Sequence, residues 1–375
     1  MKPTEPLTPE RAESSQPSMS FLQVRDTNEW LPASTQTSDI LRAATPARAT
    51  EEGYYGVPML KRPLWHWHIA LYFFCEGVSA GAFILASLAD LFGGGRWQRL
   101  SRAGYYVSLA AIIPCPPLLI ADLGVPSKFH HMLRIFKPSS PMNLGAWSLT
   151  GYSIPLQMIA LRHLAADTDL LPPWLRRFLL RLVPERLAGI LGIPTGMLMV
   201  AYPGVLLSTT STPVWSRTRL LGALFSASSM VTGAAATSLA LAFFNSDNRM
   251  SLGLLEKIER IASLCEGAAL TGYLVSTGKA ANPLLKGKYL PHTLLAGAAI
   301  TSHLLPVKPV KQRRRGLLST VLRSALTLAG GMALKWAIVY AGRKSAEDPQ
   351  AARAATRPSK SAPGWGPTKS KGNTE

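Results

Sequence analysis

Two glutamates stand where a charge is most costly. Glu76 lies near the middle of the apolar run 65–92, and Glu266 near the middle of the run 254–277. A carboxylate in hydrocarbon is unfavourable by several kcal/mol unless it is neutral, paired or facing water. Each is therefore either a neutral acid hydrogen-bonded to a neighbouring helix or a group that trades protons, and Glu76 is the candidate for the catalytic role of proton relay. Both sit in a Cys-Glu-Gly triplet, Cys75-Glu76-Gly77 and Cys265-Glu266-Gly267. The two runs pass in opposite directions, and a duplication of four helices would pair the first run with the fifth. The recurrence reads as chance.

The first run opens Trp65-His66-Trp67-His68 and continues to Tyr72. Indole rings at such a position are interfacial anchors. His66 and Tyr72, roughly two helical turns apart, could line one pocket that opens toward the interface. Hydrogen-bond donors within apolar walls suit a quinone. A third polar group, Asp122, opens the turn Asp122-Leu123-Gly124-Val125-Pro126, where it could cap backbone donors or pair with Lys128 or Arg134. Just before it, Pro114-Cys115-Pro116-Pro117 should kink the helix.

The elements that must position these groups are membrane helices. A span of the ~30 Å hydrocarbon core needs about 20 apolar residues, and about eight such runs fill the middle of this 375-residue chain: 65–92, 103–121, 144–162, 187–207, 218–244, 254–277, 289–305 and 317–340. The expected fold is all-α, a polytopic bundle of about eight transmembrane helices over 65–341. Residues 1–64 form a disordered polar tail and 342–375 a disordered basic one. An overall hydrophobic share of 47% averages these tails with the apolar middle. The net charge of +19 resides mainly in tails and short connections. That placement points to topology and anionic membrane lipid, and argues against nucleic acid as a partner. Arginine and lysine are slightly denser in the loops opposite the tails, which places the tails outside. The three cysteines, Cys75, Cys115 and Cys265, form no C-x-x-C pair, so the chain cannot alone supply the four thiolates of an iron–sulfur cluster.

Taken together, Tyr72-Phe73-Phe74 with Gly77-x-x-x-Gly81, Asp122-Leu123-Gly124-x-Pro126 and Pro141-Met142-Asn143-x-Gly145-Ala146-Trp147 resemble the NrfD and polysulfide reductase membrane-subunit family. That resemblance implies a multi-pass subunit of the bacterial inner membrane, free of haem and of iron–sulfur clusters. It would bind quinone or quinol, as menaquinone or ubiquinone, and exchange electrons with a ferredoxin-like iron–sulfur subunit docked outside. Behind that partner a molybdopterin or multihaem subunit performs the terminal chemistry. By the same analogy His66, Tyr72 and Asp122 belong to the quinone pocket region. Two other readings remain open on the residues alone. A haem b anchor would need facing pairs drawn from His66, His68, His163, His292 and His303. A secondary transporter would use Glu76, Glu266 and a helix broken at Gly192-Ile193-Pro194.

Overall fold

The computed structural model describes residues 60–169, 172–182, 184–244, 249–304 and 313–349. Most of both expected tails, and the loop lysines Lys308 and Lys311, lie outside the described residues. Among the described residues there is no strand, and their regular structure is all helix.

The first long helix, α1 (Trp67–Gly93), returns through α2 (Gln98–Ile112) and α3 (Cys115–Asp122). The break between α2 and α3 falls at the proline cluster. Pro116 and Pro117 occupy the first turn of α3, where a missing N–H costs no hydrogen bond, and Pro114 is its N-cap. A loop carrying the short α4 (His131–Arg134) leads to α5 (Pro141–Asp167). The start of α5 is fixed by Ser140, whose hydroxyl accepts from the Asn143 N–H at 3.4 Å, and by Pro141 behind it. Next come the amphipathic α6 (Pro173–Leu182), α7 (Glu185–Ser208) and the single turn α8 (Pro213–Ser216). The second half holds α9 (Leu220–Phe244), α10 (Arg249–Thr277), the short α11 (Asn282–Leu285), α12 (Leu290–Leu304) and α13 (Arg313–Ala346). Helix α13 runs to Ala346, beyond the end expected at 341. Its last turns are held by Trp215 of α8, whose indole donates to the Ile338 carbonyl at 2.8 Å, and by Ser345, whose hydroxyl accepts from the Val214 N–H at 3.4 Å.

The long helices form two sets of four. One contains α1, the α2–α3 pair, α5 and α7; the other contains α9, α10, α12 and α13, and the sets meet chiefly where α9 packs on α1 and on α7. The contact with α1 is close because the facing residues are small. A methyl on Gly81 would strike the Ser229 carbonyl, and one on Gly233 would strike the backbone at Gly81 and Ala82.

Polarity is distributed as lipid requires. Phe92, Phe243 and Val275 are exposed, whereas Glu76, Lys335 and His303 are buried. An apolar exterior around buried ionisable groups is the reverse of a water-soluble protein. Among the described residues, four helical stretches are long and apolar enough to cross a membrane: Trp67–Asp122, Glu185–Ser208, Leu220–Phe243 and Leu317–Ala346. Each of the eight runs expected from the sequence falls on helix, but α12 is only 15 residues long and α10 carries several charges. Length and apolarity alone thus support four crossings and leave the count of eight unconfirmed.

Candidate functional site

A cavity of about 350 Å³ lies at the end of the first helix set, between α1, α3, α5, α7 and the loop before α5. Its walls are mainly apolar, among them Ile69, Phe73, Leu119, Met142 and Leu206. The polar groups on it are few: Tyr72, Asp122, Thr150, Ser153, Gln157 and Tyr202.

The stretch 141–147 builds and braces one side of this wall. The Asn143 side chain clamps the loop: its amide donates to the Met132 carbonyl at 2.7 Å and the Ile135 carbonyl at 3.0 Å, and its oxygen accepts from the Lys137 N–H at 2.7 Å. Gly145 leaves room for Tyr202, since a methyl there would collide with the phenol ring. The Tyr202 hydroxyl donates to the Pro141 carbonyl at 2.7 Å. Met142 and Ala146 line the cavity, and Trp147 meets Phe136 edge to face at 5.8 Å.

Asp122 ends α3 at the cavity wall. Its Oδ1 is buried without a hydrogen-bond partner, 3.9 Å from His66 Nδ1 and 4.0 Å from His68 Nδ1. Arg343 adds positive charge to the same neighbourhood. His66, the N-cap residue of α1, does not line the cavity; it stands behind Asp122. Of the three residues expected in the pocket, the structure therefore places Tyr72 and Asp122 on its wall and His66 at one remove.

One turn deeper than Tyr72, Glu76 is completely buried. Neither of its oxygens has a hydrogen bond of ordinary geometry, and the groups facing it are the Tyr72 hydroxyl and the Lys335 ammonium. Lys335, on α13, is itself 1% exposed and donates to the Ser228 hydroxyl at 3.1 Å. On its other side Glu266 shares Ser228 and the same ammonium. The two glutamates of the repeated triplet thus converge on one lysine.

The profile of a protein family described as "Polysulphide reductase, NrfD" matches residues 57–345, most of the chain. The chain belongs to the NrfD family. Among its relatives, a component of the polysulfide reductase of Wolinella succinogenes is 30% identical over 301 residues, covering 75% of this chain and 94% of that protein. Protein NrfD of Escherichia coli is 26% identical over 305 residues, covering 75% of this chain and 95% of its own length. A subunit of the selenate reductase of Mesobacillus selenatarsenatis is 23% identical and covers 55% of this chain and 54% of its own length. In this NrfD-family membrane subunit, residues 141–147, which carry part of the resemblance, are the ones that build the wall described above.

Sequence reasoning on this NrfD-family chain missed Lys335. The signal was available, because a lysine in the run 317–340 is as costly as a glutamate in the run 65–92. It also missed Glu259, which is buried on α10 two turns before Glu266.

Proposed function

We propose that the chain is the quinol- and quinone-binding membrane subunit of an oxidoreductase complex, passing electrons between the quinone pool and an iron–sulfur partner docked over the loop 123–140. The observation that carries this reading is Asp122 on the wall of an apolar cavity of about 350 Å³, its buried Oδ1 without a hydrogen bond and the His66 and His68 rings 3.9 and 4.0 Å away. The volume and the sparse polar lining suit a ring of this kind. A quinol releases two protons and two electrons on becoming a quinone, and the reverse reaction consumes them. Asp122 accepts from a ring hydroxyl, with His66 and His68 behind it to share the proton. Tyr72 donates to the carbonyl oxygen of the quinone; toward the quinol its hydroxyl accepts the ring proton and passes its own to Glu76, its partner one turn on. Phe129, Leu133, Ile135 and Phe136 leave an apolar patch exposed beside the cavity, as a docked subunit would require. The terminal chemistry, on a molybdopterin or multihaem centre, belongs to that partner's side of the complex.

In this reading all eight helical runs cross the bacterial inner membrane with the tails outside, α10 and α12 turning Glu259, Glu266 and His303 inward. Binding of a short-chain quinol analogue to the purified complex, followed by quenching of tryptophan fluorescence, tests the pocket. Tyr72→Phe should weaken binding about 2–12-fold, the equivalent of one neutral hydrogen bond of about 0.5–1.5 kcal/mol. Asp122→Asn should cost more, about 10-fold or above, because the lost bond is to a charged group. His66→Ala should cost less than either. Unchanged affinity in both Tyr72→Phe and Asp122→Asn would refute the assignment.

The buried histidines support a chain without haem. His303 has one ring nitrogen 2.6 Å from the Thr327 hydroxyl and the other 3.5 Å from Glu259, while His163 lies 2.8 Å from Glu185. The absorbance spectrum of the isolated subunit should show no Soret band that responds to dithionite. A reducible band would overturn this point.

A further inference from the structure

We propose that the groove between α5 and α7, at the end of the bundle opposite the cavity, binds one anionic phospholipid, with the head held by arginines in and beside α6 and an acyl chain laid between the two helices.

The residues of α6 divide around its axis. Trp174, Leu175, Phe178 and Leu179 recur at spacings of three and four and share one face, while Arg176, Arg177 and Arg181 share the other. Leu175 and Leu179 are half-buried, whereas Trp174 is 67% and Phe178 53% exposed. Such a helix lies in the membrane interface with its aromatic edge among the acyl chains. Two arginines brace it there. Arg176 donates to the Ala165 carbonyl at 2.9 Å and to Asp169 at 2.8 Å; Arg162 of α5 donates to the Leu180 carbonyl and, at 3.4 Å, to Glu185 at the start of α7. Three others are not engaged in this way. Arg177, Arg181 and Arg186 are exposed, and among the described residues none of them forms an ion pair. Arg177 bonds only within its own helix, to the Pro173 carbonyl at 3.2 Å. Of the nearby acids, Glu185 is taken by Arg162 and His163, and Asp90 lies near Arg186 without pairing with it. The edge that α6 turns to the membrane surface is therefore basic.

The groove begins beside that edge. Its lining runs from Pro184 and Met158 to Thr195 and Gly151, with Leu187 and Pro155 between, and it encloses about 350 Å³. From Pro184 to Thr195 the helix rises about 16 Å, half of the ~30 Å hydrocarbon core and so the depth of one leaflet. Arg181 stands three residues and Arg186 two residues from Pro184, within about 11 and 7 Å by chain length alone. At the deep end a methyl on Gly151 would meet nothing, so the missing side chain keeps the groove open. Thr195 donates to the Gly192 carbonyl of its own helix at 3.0 Å, which leaves an occupant no polar partner inside. A quinone ring suits this slot poorly, because its oxygens would find no donor. A neutral lipid fills the slot but leaves the arginines unanswered, and inorganic phosphate answers the arginines but leaves the slot empty. A phospholipid with a net negative head does both.

The test uses the complete complex in detergent and a phosphatidylglycerol with a diazirine midway along one acyl chain, photolysed and followed by peptide mapping. Label should fall on 151–158 of α5 and 184–195 of α7. Unlabelled phosphatidylglycerol should compete better than phosphatidylcholine by about tenfold or more, since each arginine at an anionic surface is worth about fivefold. Inorganic phosphate should not compete. Replacing the three arginines together, Arg177→Gln with Arg181→Gln and Arg186→Gln, should bring the two lipids to within about twofold of each other. Arg181→Gln alone should give a smaller loss of preference, and serves if the triple variant does not assemble. Gly151→Leu, which fills the deep end, should lower labelling by either lipid several-fold. Equal competition by the two lipids in the native complex would show ordinary solvating lipid only, and overturn the site. So would a preference untouched by the arginine variants. Absence of label from both stretches would mean that something other than lipid covers the groove, and competition by inorganic phosphate would assign the arginines to a free anion; either result also overturns it.

Discussion

Lys335→Met should destabilise the bundle by about 3–5 kcal/mol, the cost of breaking a buried ion pair from one side only. The ammonium is 1% exposed and is the cation facing both Glu76 and Glu266. Methionine nearly matches the lysine stem in volume, so packing is preserved and the loss is electrostatic. Two carboxyl groups then remain in a dry interior, and the Ser228 hydroxyl loses its donor. The expected readouts are a markedly lower melting temperature in detergent and a turnover loss larger than that of Tyr72→Phe. Neutralising the acids as well, in a triple variant with Glu76→Gln and Glu266→Gln, should recover much of the stability without recovering turnover. Such non-additivity is the mark of groups that share one network. A single variant that melts with the native protein would show that Lys335 is neutral or solvated. The triad would then be a coincidence of placement.

The sequence made the helical architecture legible because lipid leaves the chain little choice: a backbone in hydrocarbon must satisfy itself. Every apolar run fell on helix, and the proline cluster broke α2 from α3 just ahead of Asp122. The cavity was legible through Tyr72 and Asp122, whose residue types and depth matched donors and acceptors at a membrane face. What the sequence concealed was pairing. His66 looked like a lining residue because it shares a helix with Tyr72, yet at the N-cap its ring turns toward Asp122 instead. The recurrence of Cys-Glu-Gly read as chance because the two helices run in opposite directions. Opposed direction does not prevent two side chains from meeting one partner on a third helix, and Lys335 supplies it. Glu259 was concealed for a different reason. Beside Glu256, Lys257 and Arg260 it looks like one more charge on a solvated turn, and only its packing against Ser238 and His303 separates it from those neighbours.

The contact between α1 and α9 yields a prediction whose sign depends on position alone. Glycine inside a helix is ordinarily less favourable than alanine by roughly 0.5–1 kcal/mol, because it loses more backbone freedom on folding. Gly253, on α10, has open space where a methyl would stand. Gly253→Ala should accordingly stabilise the protein by up to about 1 kcal/mol. At Gly81 the same methyl would be driven into the Ser229 carbonyl oxygen, and the backbone of Gly233 lies alongside. Backbone atoms on both helices cannot swing aside as a flexible side chain would. Gly81→Ala must therefore push α1 away from α9, at or above the ~1–3 kcal/mol of ordinary overpacking, and Gly81→Leu should yield no folded protein. Separation of these helices also moves Glu76 away from Ser228 and Lys335, so any Gly81→Ala protein that does fold should turn over quinol more slowly while retaining analogue binding at the more distant cavity. Melting temperatures of the two alanine variants, measured side by side in one detergent, check the opposite signs. A Gly81→Ala protein as stable as Gly253→Ala would mean that α1 and α9 are not in backbone contact at this point.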